Sequence, residues 1–353
     1  MKNNLSLSVL IALIILLFNS CLGESEKYVI GISQCSQDEW REKQNAEMEQ
    51  ESRFYPNLEL KVLSAKDDNE RQIRDIQQLI DQKVNLLIVS PNEGKAITPI
   101  VEKAYDAGIP IIVIDRKVMS DKYTAFIGAD NIQIGEAMGE YIQSLGNEPL
   151  RLFEVCGLEG STSAQERTQG LYNVIGRLNH IERMGSIDAS WRMEDAEYKM
   201  DSVFNLHPDI NFIVAQNDRM AIGAFRAARR HRLEKGIRFI GVDALTNKDF
   251  GVDQVMQGNM AATFIYPTGG DVVIQTAMHI LNREPFERDV TLSSAQVDVT
   301  NARIMMLQDA LVKQSSERMN QLSEQLDSFL QQRNVQNILV ASFIVIILNF
   351  AAL

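Results

Sequence analysis

Residues 109–118 read IPIIVIDRKV. The short apolar run Ile111 to Ile114 passes directly into Asp115, Arg116 and Lys117. An apolar run of this length, preceded by Gly108 and Pro110, predicts a buried strand entered through a turn. Charge is costly to bury without a partner. A buried strand that ends in an acid and two bases therefore directs attention to what gathers at its carboxyl end.

Outward from this strand the same pattern recurs. Towards the N-terminus, YVIGIS, LELKVLSA and NLLIVSP predict strands. Between them DEWREKQNAEMEQESRFY, NERQIRDIQQLIDQKV and ITPIVEKAYDAG predict helices, the second with Ile73, Ile76, Leu79 and Ile80 on one face. Strands alternating with helices of this length imply right-handed βαβ units and a parallel sheet. After Asn131 the alternation starts again. GEAMGEYIQSLG, SAQERTQGLYNVIGRL, AEYKMDSVFNLHPDI and MAIGAFRAARRH predict helices, and LRLFEVCG, NFIVAQND and IRFIGVD predict strands. The expected fold class is α/β, with two lobes of similar order.

The chain has 353 residues, 45% hydrophobic and 23% charged, which suits two packed domains. Its net charge of −12 argues against a nucleic-acid partner. Residues 1–23, with Lys2 before an apolar run, predict a signal peptide or signal anchor. Cys21 stands where a lipidated cysteine could stand, although Phe18 departs from the usual small-residue pattern, and lipidation is left open. Cys35 and Cys156 are far apart in sequence, and whether they pair is likewise open. No close-spaced Cys/His cluster predicts a metal, and no cofactor is expected. From Ala302 glycine and proline vanish. Val312, Ser315, Met319, Leu322, Leu326 and Phe329 follow heptad spacing, which predicts a helix over 304–336 and a homodimer through 312–330. Residues 337–353 are nearly all apolar and are expected to enter the inner membrane as a truncated span.

In open parallel sheets, ligands bind beyond the carboxyl ends of the strands. Here those ends carry Ser33 and Gln34, Ser90, Asp115 and Arg116, Asn217 and Asp218, and Asp243. Carboxylates accept from paired hydroxyls and arginine offers a planar fork of donors, a mixture suited to a polyhydroxylated ligand. Aromatic rings cover the C–H faces of such a ligand, and the two tryptophans, Trp40 and Trp191, lie near the same segments. Asp115 beside Arg116, or Asp218 beside Arg219, could suggest acid–base chemistry. No nucleophile-plus-base constellation accompanies them, so an enzyme is not expected.

The phrases VIDRK, GSTSAQERTQG, AQNDRMAIGA, IGVDA and MAATFIYP, in that order, carry a resemblance. Over roughly 27–300 the chain resembles periplasmic sugar-binding proteins of the ribose-binding type. The resemblance implies two Rossmann-like lobes joined by hinge strands: 27–130 with 267–294, and 131–266 with 295–303. It implies that Asp115, Arg116, Arg167, Asn217 and Asp243 grip sugar hydroxyls. It implies further that Trp40 and Trp191 stack on the sugar, with Gln37 a polar contact and Tyr266 near a hinge position where ribose binders carry glutamine. The implied ligand is a pentose or a ketohexose such as fructose or ribose, although Ser90, standing where ribose binders carry asparagine, and Tyr266 make the pocket differ from a strict ribose site. Lys117 is expected to be an ordinary solvated charge. The C-terminal addition resembles the sensor regions of hybrid two-component systems of Bacteroidetes, which implies a periplasmic sensor anchored in the inner membrane with a kinase beyond it. A lipoprotein component of an ABC transporter is the alternative. A repressor with the same lobes would need a helix-turn-helix where the signal segment stands.

Overall fold

The structure, a computed structural model, describes residues 27–351. The expected signal segment and Cys21 lie outside the described residues, as do residues 352–353 and the side chains beyond 343. Residues 27–306 form one compact unit that holds both sheets.

The first sheet is built from β1 (Tyr28–Gln34), β2 (Leu58–Ser64), β3 (Leu86–Val89), β4 (Ile111–Ile114) and β5 (Ala125–Ala129), with β11 (Asp289–Leu292) at its edge. Its order is β11-β5-β4-β3-β1-β2 and every pair is parallel. The second sheet is built from β6 (Leu150–Cys156), β7 (Ile181–Asp188), β8 (Phe212–Ala215), β9 (Arg238–Asp243) and β10 (Ala262–Ile265), closed by β12 (Gln296–Asp298). Its order is β12-β10-β9-β8-β6-β7, and only the β10–β12 pair is antiparallel. The chain therefore passes between the lobes after β5, after β10 and after β11.

Both faces of each sheet are covered, and the strands read accordingly. In β4, Ile112 and Ile114 pack into one core with Ile30, Ile32 and Ile88, while Ile111 and Val113 pack into the core on the opposite face. Side chains alternate across a strand, so a strand buried on both faces is apolar without interruption. That is why Ile111–Ile114 lacks the polar alternation of a surface strand. In the first lobe, α1 (Glu39–Ser52) and α9 (Gly270–Leu281) cover one face, and α2 (Asn69–Asp81) and α3 (Gly94–Asp106) the other. In the second, α4 (Asn131–Ser144) and α5 (Thr162–Ile175) cover one face. There α6 (Met193–Leu206), α7 (Asp218–His231) and α8 (Gly251–Met256) cover the other.

Several helices begin on a side-chain cap directly after a strand. Asp38, Asp68, Asp130 and Asn217 accept from the backbone N–H three residues on. Such a cap contributes about 1 kcal/mol and fixes where the first turn points.

The last helix, α10, runs from Ala302 to Ala351 as one continuous element that includes the expected helix over 304–336. Ala302, Met305 and Met306 pack into the core of the second lobe. Further along, Val312, Met319, Leu322, Leu326 and Phe329 are exposed. The expected membrane segment at 337–353 is not supported: among the described residues no helix is long and apolar enough to cross a membrane.

Candidate functional site

The carboxyl ends of the strands in both lobes converge on one cleft. The turn after β1 delivers Asp38, Trp40 and Arg41, and the end of β4 delivers Asp115 and Arg116. From the second lobe come Ser163 and Arg167 on α5, Trp191 after β7, and Asn217 after β8. Asp243 and Leu245 follow β9, Tyr266 follows β10, and Arg219 completes the lining. The cleft encloses about 470 Å³ free of protein atoms, its open mouth included.

Asp115 is the hub. Arg41 forms a buried ion pair with one carboxylate oxygen, and the Tyr266 hydroxyl donates to the other. Arg116 Nε lies 3.5 Å from the same oxygen as Arg41. Burial alone would raise the Asp115 carboxyl, but the guanidinium groups of Arg41 and Arg116 hold it below the usual carboxylate range. Conversely, burial works against the charge on Arg41 and Asp115 overrides it, while Tyr266 is pushed up by burial and by the Asp115 charge. Asp115 therefore stands as a carboxylate with much of its accepting capacity already committed.

Arg167 is fixed from behind. Its Nε donates to Asn131 Oδ1 at 2.9 Å and a terminal nitrogen donates to the Gln216 carbonyl at 2.6 Å. Its guanidinium carbon lies 4.2 Å from the Tyr266 ring centre and 5.4 Å from that of Trp191. Arg116 stands on the same indole, at 5.5 Å, and donates to the Asn92 carbonyl at 2.9 Å. Asn217 caps α7 through Met220 N–H and donates to the Trp191 carbonyl at 3.2 Å. Behind Asp243 lies Asp218, which accepts from Ala244 N–H at 2.8 Å and Thr263 Oγ1 at 2.7 Å. Burial raises the carboxyl of Asp218, and burial together with the neighbouring Asp218 raises that of Asp243.

Three lining residues hold positive φ: Asp115 at 65°, Trp191 at 65° and Asp243 at 125°. Non-glycine residues seldom adopt this region, and when they do they cluster where function requires a particular side-chain direction.

Of the residues singled out in the sequence, Asp115, Arg116, Arg167, Asn217, Asp243, Trp40, Trp191 and Tyr266 line this cleft. Gln37 does not. It is exposed and borders a neighbouring hollow with Asp67 and Arg192, and Asp38 takes its place. Ser90 is buried away from the cleft, its hydroxyl nearest Cys35 Sγ at 3.7 Å. Trp40 is a buried wall: its N–H donates to the Tyr266 carbonyl at 2.8 Å, and Arg41 lies 4.6 Å over its ring. Lys117 is exposed, as expected of a solvated charge; Nζ pairs with Glu166 at 2.7 Å and its backbone N–H donates to Thr162 Oγ1 at 2.9 Å, joining the two lobes. Cys35 and Cys156 are both free thiols. Sequence reading did not single out Asp38, Arg41, Ser163, Arg219 or Leu245 as lining residues. The signal for Arg41 was its place three residues after a capping Asp and directly after Trp40; Ser163 stood inside GSTSAQERTQG as one small residue among several.

Two parallel-sheet lobes joined by three crossings, with charged and aromatic groups facing each other across the seam, define a two-lobed cleft binder of small polar molecules. The chain belongs to the periplasmic binding protein domain family, which it matches over residues 30–285. It is 30% identical over 188 residues to the ribose import binding protein of Bacillus subtilis, covering 53% of this chain and 60% of that one. It is 27% identical over 204 residues to the Escherichia coli ribose import binding protein, covering 58% and 67%. Among solved structures it resembles the fructose-binding periplasmic domain of a hybrid two-component system, with TM-score 0.83 and 43% identity, over 84% of this chain and 99% of that one. A Bacillus halodurans transporter solute-binding protein with bound myo-inositol matches with TM-score 0.76 and 26% identity, over 81% and 99%.

Proposed function

We propose that the chain binds a monosaccharide, a pentose or a ketohexose such as ribose or fructose, in this cleft and without turnover. The carrying observation is that one cleft combines carboxylates, arginines and an amide from both lobes with the rings of Trp40, Trp191 and Tyr266. A sugar hydroxyl both donates and accepts, so it can bridge Asp115 on one lobe to Arg167 or Asn217 on the other. A ligand favours the closed arrangement by its differential affinity for it, and contacts to both lobes supply that difference.

The reading extends to a sensor outside the cytoplasm. The 43% identical relative is the periplasmic domain of a two-component system, and α10 leaves the second lobe as one continuous helix. Closure would be read through that helix, as a homodimer across 312–330, by a kinase beyond an inner-membrane anchor. The import names of the ribose relatives favour a second reading, a transporter component. Both require the same sugar site. A thermal-shift screen of the purified protein against pentoses and hexoses tests it: one or a few monosaccharides should raise the melting temperature, and a flat response across the screen contradicts the proposal.

A further inference from the structure

Three buried hydrogen-bonding atoms of cleft-lining residues have no protein partner: the Ser163 hydroxyl, the Trp191 indole N–H and Arg219 Nε, whose guanidinium is otherwise paired with Glu39. Ser163 is 2% exposed, and its hydroxyl, though it lines the cleft, has no hydrogen-bond partner. The indole N–H of Trp191 is buried at the same cleft and also lacks one. Their neighbours contrast with them: Asp115, Arg116, Arg167, Asn217 and Tyr266 are each engaged by protein groups.

Buried polar groups are almost always satisfied, and one that is not points to a missing partner. We infer that Ser163 and Trp191 are specificity-determining contacts, whose hydrogen bonds are completed by oxygens of the bound ligand. This inference rests on the sugar-binding reading and deepens it. The chemistry constrains the ligand. An indole N–H only donates, so Trp191 requires an acceptor oxygen, from a hydroxyl, a ring or a carbonyl. A serine hydroxyl donates and accepts, so Ser163 pairs with a hydroxyl. The ligand must therefore carry oxygens towards the N-terminal turn of α5 and the Trp191 edge, beyond those reaching Asp115. A site built to hydrogen-bond a hydroxyl rejects the analogue that lacks it more strongly than an apolar pocket rejects one extra group. Both residues lie on the second lobe, so this lobe reads part of the hydroxyl pattern.

Calorimetry on the full-length chain in detergent tests this, with wild type, Ser163→Ala and Trp191→Phe, against fructose, ribose and their monodeoxy analogues. Ser163→Ala should weaken the preferred sugar about tenfold, as loss of one buried hydrogen bond implies. The loss should vanish for one deoxy analogue, which wild type and variant bind alike. Trp191→Phe keeps a ring and should show the same pattern at another oxygen. Without ligand, Ser163→Ala should melt no lower than wild type, because the hydroxyl it removes has no protein partner. A lowered melting temperature without ligand would make Ser163 structural and overturn its assignment. Wild-type sugar binding with both variants within twofold of it overturns this inference alone. A wild type that binds no monosaccharide overturns the sugar reading and this inference with it.

Discussion

Asp115 turns its backbone to φ 65° at the end of β4 and meets Arg41, Arg116 and Tyr266 there. A short polar side chain tolerates this region better than most, which suits aspartate to the position. Its partners leave few free lone pairs, so its role is to hold three donors in place as much as to accept a ligand hydroxyl. Arg167 is the complementary case, with donors anchored to Asn131 and Gln216 and its charge set between two rings. Arg167→Ala should weaken sugar binding at least tenfold, measured by calorimetry, because ligand oxygens would lose a buried charged donor. The carboxyls also predict a pH dependence. Asp218 and Asp243 are raised, so the stability they contribute is fully present below the unfolded value near ~4 and is lost as pH rises through their folded-state values. Asp115 is lowered, so its contribution is present above that unfolded value and is lost only as pH falls through its folded value. Urea unfolding of unliganded protein at increasing pH should show stability falling above ~pH 4, with a shallower fall in Asp218→Asn.

Between elements, α4 and α5 pack backbone against backbone at two glycines. A methyl group at Gly135 would stand 2.2 Å from the Arg167 carbonyl oxygen, and one at Gly170 would stand 2.0 Å from that of Ile132. These are backbone contacts that no rotamer change relieves. Gly170→Ala should destabilise the protein by about 1–3 kcal/mol and lower its melting temperature, since overpacking forces the backbone apart. It should also weaken ligand binding, because α5 carries Arg167. The two-lobed α/β plan was legible in the sequence where apolar runs and amphipathic stretches were long, as in Ile111–Ile114 followed by Asp115. β7 was not. It is an edge strand with exposed Glu182 and Arg183, a glycine at φ 146° and a register shift against β6, so neither an alternating nor a continuous apolar pattern marks it. Trp191 was legible as a candidate because tryptophan is rare here, whereas its orientation depends on the left-handed turn that follows β7. Arg41 was hidden by its surroundings: in a helix crowded with charges, nothing local distinguishes the one arginine that reaches a carboxylate 74 positions away.

At the scale of the molecule, the two lobes are repetitions of one plan placed so that their strand ends oppose each other. The rim is held by Lys117 with Glu166, Arg219 with Glu39, and the Gly94 N–H with the Gly160 carbonyl. The exposed Lys117–Glu166 pair contributes roughly 0–1 kcal/mol, and these rim contacts can set the lobes in register. Charge is concentrated inside the cleft: arginines 41, 116 and 167 are almost fully buried and faced by the Asp115 carboxylate, beside Asp218 and Asp243, whose carboxyls are raised towards the neutral form. Charges buried at such a cost in a cleft mark a candidate ligand site. The most direct test is isothermal titration calorimetry with the compact 27–306 unit, wild type against Asp115→Ala, titrated with fructose and with ribose. The account predicts one-to-one binding of at least one of these sugars by wild type and a loss of at least tenfold in the variant. No binding of either sugar, or equal affinity in the two proteins, would contradict it.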